Sequence, residues 1–79
     1  MNSEHKFQPR QKVWYVPFRG CDTKDIEPGE VSSVRLIRSP RGMRTVVFVK
    51  FDAQLAKFGW EGTTSQACDS EDLLTDKPL

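Results

Sequence analysis

Few side chains in this sequence could do acid–base or nucleophilic chemistry, and they lie far apart. The only histidine, His5, lies in a polar N-terminal stretch, whereas a Ser-His-Asp or Cys-His site needs a histidine held by ordered neighbours. Glu71 and Asp72 are adjacent acids, but they directly follow Asp69 and Ser70, a position that suits the cap of a short helical turn. We therefore expect no catalytic residue, no enzyme activity and no cofactor.

The two cysteines, Cys21 and Cys68, are distant from each other in the chain. A structural zinc site needs four ligands as a rule, so no metal site is predicted. Reduced thiols in a cytoplasmic protein are one interpretation, because small secreted scaffolds usually hold more cysteines. A disulfide is the other, if the fold brings the two loops together.

Length and composition limit the chain to one small domain. It has 79 residues, of which 37% are hydrophobic and 29% are charged. A domain of this size has little room for an enclosed small-molecule site. No apolar run approaches the roughly 18 residues of a membrane span, and the N-terminus lacks the apolar core of a secretory signal. We expect a soluble, cytoplasmic protein with neither a membrane partner nor a small-molecule substrate.

Charge is distributed unevenly along the chain, although the formal net charge is only +1. Residues 35–50 contain no acid, whereas acids outnumber lysines in residues 51–79. The cations of the first segment could hold the phosphates of a nucleic acid. Alternatively, they could keep a solvated hairpin soluble and block edge-to-edge pairing of strands. They are Arg35, Arg38, Arg41, Arg44 and Lys50.

Aromatic side chains form the second candidate binding surface. Core packing in so short a chain requires several of them, but an exposed subset could dock on a protein partner or on a second copy of the chain. A cage for a methylated lysine or arginine, built from cation–π contacts, is a narrower alternative. The candidate protein-binding residues are Trp14, Tyr15, Phe18, Phe58 and Trp60.

The pattern of apolar residues predicts a small antiparallel β-protein. Ser39-Pro40-Arg41-Gly42 has the residue types of a tight turn between two strands. Residues 52–62 allow either a helical turn ended by Gly59 or a wide hairpin loop. A short turn is expected at residues 69–72, with Leu73 and Leu74 closing the core. β-Branched and aromatic runs predict strands at residues 12–16, 30–37, 45–51 and 63–67.

The predicted domain covers residues 10–75. Residues 1–9 are expected to form a flexible arm in which only Phe7 could dock, and residues 76–79 to fray. The strand at residues 45–51 is apolar on both faces, so its second face needs a cover: the arm, the loop over residues 18–29, or another subunit.

Four segments together resemble an SH3-like small barrel, in the broad sense that includes Tudor, chromo-barrel and KOW modules. They are Gln11 to Val16, Gly29 to Val34, Val46 to Phe51 and Glu71 to Leu74, and they match the opening strand, the G-x-V strand, the V-x-F strand and the x-D-L turn of these modules. The resemblance implies an all-β fold, an antiparallel barrel of about five short strands. Trp14 to Pro17 and Thr64 to Cys68 also resemble small proteins encoded by phages and mobile elements, a group without an assigned function.

These observations predict a non-catalytic binding module. Docking on a protein partner through exposed aromatics, as an inhibitor or adaptor, is the first interpretation. Nucleic-acid binding through the basic hairpin Arg35–Lys50 is the alternative, ranked second because a dedicated nucleic-acid binder more often carries a strongly basic domain. A structural module without a ligand of its own is the third.

Overall fold

The structure, a computed structural model, describes residues 7–78. One α-helix, α1 (Asp52–Gly62), lies between the third and fourth strands, and two 3₁₀ turns lie at Thr23–Asp25 and Ser70–Asp72. Strands contain more of the described residues than helices do. They are β1 (Lys12–Tyr15), β2 (Glu27–Ser39), β3 (Gly42–Phe51), β4 (Gln66–Asp69) and β5 (Leu73–Leu74).

All five strands pair antiparallel in one sheet with the order β4-β3-β2-β1-β5. The two outer strands of this order, β4 and β5, are separated in the chain only by the three residues Ser70–Asp72. The sheet must therefore curl until its two edges approach each other. No pairing joins β4 to β5 within residues 7–78, so the sheet is not closed. Of the predicted all-β barrel, the antiparallel sheet of five strands is confirmed, whereas its closure is not, and the 11-residue helix means that the chain is not purely β.

The core lies inside this curl and consists mainly of valines. Val13, Val31, Val47 and Val49 have no exposed surface, and Phe7, Cys68 and Leu73 complete the buried cluster. β2 and β3 approach closely at Gly29, where an added Cβ would lie 2.6 Å from Cγ1 of Val49. A side chain at this position would therefore clash with the core.

Phe7 and α1 cover the two faces of β3. Phe7 is 6% exposed and belongs to the inner core, so the end of the predicted arm is docked, and it covers the inner face. The outer face is covered at Lys50, whose ammonium group lies 4.4 Å from the ring centre of Trp60 in α1. This contact places the helix, which was not among the three predicted covers, against the outer side of the sheet.

Residues 52–62 form a helix rather than a hairpin loop. The helix is interrupted at Gly59, which has a φ of +74°, a value that glycine adopts without steric cost. The alternative of a helical turn ended by Gly59 is therefore confirmed, although the chain continues for one more turn to Gly62. The Thr63 N–H then donates to the carbonyl of Trp60, and β4 begins only at Gln66.

The last part of the chain follows the sequence prediction in part. Asp69 caps the 3₁₀ turn by accepting a 3.2 Å hydrogen bond from the N–H of Glu71. Leu73 is buried in the core as predicted, but Leu74 is exposed, so only one of the two leucines closes the core. The fourth strand was predicted too early, because Thr63 to Ser65 leave the helix instead of entering the sheet. Residues 1–6 of the predicted arm and Leu79 of the predicted frayed end lie outside the described residues.

Candidate functional site

The β2–β3 hairpin extends beyond the rest of the sheet. β1 pairs with β2 only over residues 27–30, and β4 pairs with β3 only over residues 46–49. β2 and β3 nevertheless pair with each other as far as Ser39 and Gly42. Residues 35–45 thus form a projecting two-stranded segment, here called the ribbon.

A two-residue turn at Pro40 and Arg41 closes the ribbon, as the sequence predicted. Gly42, the residue after the turn, has a φ of +122°, which side chains with a Cβ rarely adopt. The Ser39 hydroxyl donates a 2.8 Å hydrogen bond to the Gly42 carbonyl. Local residue types therefore determine the end of the ribbon, without support from the core.

Arginine side chains lie on both faces of the ribbon and at its turn. Residues that pair directly across antiparallel strands lie on the same face. Arg38 pairs with Met43 and shares the face that continues from the core, whereas Arg44 pairs with Ile37 on the opposite face. Arg35 lies on the face of Arg44, and Arg41 lies in the turn. A partner that contacts the tip therefore meets positive charge from each side.

The five predicted cations are not equivalent. Arg44 forms an ion pair with Asp69 of β4, and Arg35 lies 6.0 Å from the ring centre of Phe48. Lys50 donates a 2.6 Å hydrogen bond to the carbonyl of Trp60, at the base of the hairpin. Arg38 and Arg41 form no ion pair with any of residues 7–78. Of the five predicted cations, the two nearest the tip therefore have neither an ion pair nor a ring contact among the described residues.

Among residues 7–78, acidic groups flank one edge of the ribbon and not the other. Asp69 ends β4 beside β3, and a groove there is lined by Arg41, Arg44, Asp69 and Glu71. The hydrogen bond from Arg44, followed by that from the N–H of Glu71, lowers the pKa of Asp69, so this carboxylate stays charged. On the other edge, no described strand pairs with β2 beyond Val31, which bonds to Arg10 and Gln11. The edge formed by β2 is therefore the electropositive one.

Three aliphatic side chains of the ribbon are also exposed, although none of them is among the binding residues predicted from the sequence. Leu36 is 52% exposed, Met43 is 58% exposed and Ile37 is 42% exposed. The signal that could have revealed them is that Leu36 and Ile37 are consecutive apolar residues between arginines. Since neighbours along a strand point to opposite faces, one of the two had to lie outside any core.

The five predicted aromatic residues do not form a single surface. Tyr15 packs edge-on against Phe51, with ring centres 5.9 Å apart, beside the core. Trp14 lines a small cleft with Ile26 and Pro28. No ring of the five stacks on another of the five within the described chain.

Trp60 is held between two cations. Its ring centre is 4.0 Å from the Arg10 guanidinium and 4.4 Å from the Lys50 ammonium group, an arrangement stabilised by cation–π attraction. Phe18 and Phe58, in contrast, are 59% and 57% exposed. Of the five predicted aromatic residues, two therefore have well exposed rings, one in the loop after β1 and one in α1.

The cysteines are free thiols in the structure. Cys21 is partly exposed, whereas Cys68 lies in the core, where burial, followed by the charges of Asp72 and Glu27, raises the pKa of its thiol. A raised pKa keeps this thiol protonated and unreactive.

None of the described helices is long and apolar enough to cross a membrane. Comparison with known proteins adds no relative: no family model matches the chain, and neither a curated protein nor a solved structure matches it.

Proposed function

We propose that this protein binds nucleic acid through the ribbon. The observation that carries the proposal is that the hairpin projects beyond its neighbouring strands and that Arg38 and Arg41 at its tip form no ion pair with residues 7–78. Phosphate groups are the ligands that such guanidinium groups bind best, through charge-assisted hydrogen bonds. A two-stranded ribbon is also one of the elements with which proteins enter the grooves of duplex DNA.

The separation of charge in the fold supports this proposal despite a net charge of only +1. A net charge near zero argues against nucleic-acid binding when positive and negative side chains are mixed over the whole surface. Here the acids Asp69 and Glu71 lie on the β3 side of the ribbon, and the β2 side carries Arg35 and Arg38. A polyanion that approaches from the β2 side therefore meets positive charge first, within the screening length of about 8 Å at physiological salt.

Fluorescence anisotropy with labelled DNA and RNA, at about 50 mM and about 200 mM salt, tests the proposal. Each phosphate contact adds about one unit of negative slope to log K against log salt. The double variant R38A/R41A should therefore lower the slope by about two units and weaken binding about tenfold at moderate salt.

The matched control is R19A/K24A, which removes the same amount of charge from the loop after β1. Both residues are exposed, and they lie before the start of β2, whereas the ribbon lies at the other end of that strand. Binding by this control should stay close to that of the unchanged protein. Absence of binding by the unchanged protein at low salt, or equal losses in both double variants, would contradict the proposal.

Docking on a protein partner is a second candidate, supported by the exposure of Phe18 and Phe58. Large exposed rings are typical anchors of protein interfaces. If the partner is a second copy of the chain, light scattering after size-exclusion chromatography should show a dimer that F18S/F58S converts to a monomer. A monomer at all concentrations would remove self-association from this candidate.

We also propose that the fold is an SH3-like barrel. The support is the strand order together with the 3₁₀ turn that connects the two edge strands. In that interpretation α1 is an insertion between the third and fourth strands. Nuclear Overhauser contacts from β4 to β5 across the open side are expected, and their absence would leave only a curled sheet.

A further inference from the structure

We infer that Leu36 and Met43 act as an apolar wedge that enters the minor groove of duplex DNA and bends it. This inference rests on the proposed function, because the arginines of the ribbon must first bring the duplex to it. It goes further by assigning the class of nucleic acid, the groove and a role for two residues that phosphate binding does not use.

The pairing register places the two side chains together. Leu36 pairs with Thr45, and Met43 pairs with Arg38. Leu36 and Met43 are thus diagonal neighbours on one face, at a separation of about 7–8 Å that long side chains bridge. Both are more than half exposed, at 52% and 58%.

The chemistry of these side chains favours a duplex over a single strand. Proteins that bind single strands stack the bases on aromatic rings, and the ribbon contains no aromatic residue. Aliphatic residues such as leucine and methionine instead insert between base steps from the minor groove and partly unstack them. Exposed aliphatic groups surrounded by arginines match this second mode.

Charge selects the face of the ribbon that carries the wedge. Ile37 lies on the opposite face, where it pairs with Arg44, and Arg44 is bound to Asp69. Because Asp69 neutralises Arg44, this arginine offers little net charge to a phosphate backbone, and Arg35, the other arginine of that face, lies farther from the tip. On the face of Leu36 and Met43, the adjacent cation is Arg38, which has no ion pair among residues 7–78.

The test measures binding and bending separately on one DNA duplex of about 20 base pairs, with a donor and an acceptor dye at its ends. Anisotropy of the same duplex reports binding. Energy transfer reports the distance between its ends, which shortens when the duplex is kinked by about 20–90°. The variants are L36T/M43T and, as the matched control, I37T, since threonine preserves strand propensity. Circular dichroism confirms that each variant is folded.

We expect the unchanged protein and I37T to bind the duplex and to raise energy transfer. L36T/M43T should still bind, about tenfold more weakly, but without the rise. Three results would overturn the wedge and leave the proposed function intact. The unchanged protein could bind without raising energy transfer, or L36T/M43T could raise energy transfer as much as the unchanged protein does. The third result is tighter binding to the single strand than to the duplex. Absence of all binding would overturn the proposed function and the wedge with it.

Discussion

The inner end of the β2–β3 hairpin and the ribbon at its outer end consist of the same two strands, yet their surroundings differ completely. At the inner end, Val31 pairs with Val49 and both are fully buried. At the outer end, Arg38 pairs with Met43 and both are exposed. The hydrogen-bonded ladder runs through both regions, but only the inner one is covered by other elements.

This difference separates the residues that stabilise the fold from the residues that we propose bind nucleic acid, along a single hairpin. The inner region, here called the body, includes the valine core and the strands and helix around it. Truncation of a side chain in the body leaves a cavity, whereas water fills the space left by a truncated side chain in the ribbon. Substitutions in the ribbon should therefore change the free energy of unfolding little, whatever they do to the proposed binding, whereas substitutions in the body should change it strongly.

The largest expected contrast is in thiol reactivity. In a C21S background, Cys68 reports on the body, and M43C in a second variant reports on the ribbon. Because Cys68 is 7% exposed, it should react with a maleimide only after local opening, about a hundredfold more slowly than the ribbon thiol. Rates followed by mass spectrometry check this, and similar rates would show that the body is as open as the ribbon.

The same thiol also makes the stability of the body depend on pH. The pKa of Cys68 is raised in the folded state by burial, so the folded state retains a proton that the unfolded state releases. Stability is therefore full below the ordinary thiol pKa of about 8.5 and falls as the pH rises above it. Denaturation with urea at several pH values should show this loss in the unchanged protein and not in C68A.

A core truncation should have the next largest effect. Val47 and Met43 lie on the same face of β3, but Val47 has no exposed surface and Met43 is 58% exposed. We expect V47A to lower the free energy of unfolding by about 2 kcal/mol and M43A to change it by less than about 0.5 kcal/mol. Urea denaturation measures both, and equal losses would contradict the separation of the two regions.

Removal of Trp60 should have a smaller effect on the body. The ring joins α1 to the sheet through Arg10 and Lys50, so W60A should cost about 1 kcal/mol. F58A is the matched control, because Phe58 lies two residues away in the same helix and is 57% exposed. A loss for F58A as large as that for W60A would mean that Phe58 also supports the fold.

The smallest effect concerns the ion pair that joins the ribbon to the body. Arg44 lowers the pKa of Asp69, so the pair contributes stability above the ordinary Asp pKa of about 3.9, and this contribution is lost as the pH falls through the lower, folded-state value. Because both groups are partly exposed and screened by solvent, R44A should cost less than about 1 kcal/mol at neutral pH. The difference in the free energy of unfolding between R44A and the unchanged protein should vanish in strong acid. A difference that stays constant with pH would exclude the ion pair between Arg44 and Asp69 as its cause.

Sequence patterns predicted the elements whose signals are local. The turn at Ser39 to Gly42, the 3₁₀ turn before Leu73 and the first three strands follow from turn residues and from runs of β-branched residues. The fourth strand was misplaced, since no local signal distinguishes Thr63 and Thr64, which leave the helix, from strand residues. Among the candidate residues, Arg38 and Arg41 could be identified from charge alone, but their difference from Arg44 depends on Asp69, which is distant in sequence.

By itself, the sequence determined that this chain has a β-rich core, a basic hairpin and few groups capable of chemistry, because residue type sets propensity and charge before any folding. Only the tertiary structure decided that the hairpin extends beyond its neighbouring strands and that Leu36 and Met43 share a face. It also decided that Tyr15 and Trp60 contact other residues, whereas Phe18 and Phe58 are exposed. These properties depend on where strands from distant parts of the chain end relative to one another. Strand pairing sets that register, and no single segment encodes it.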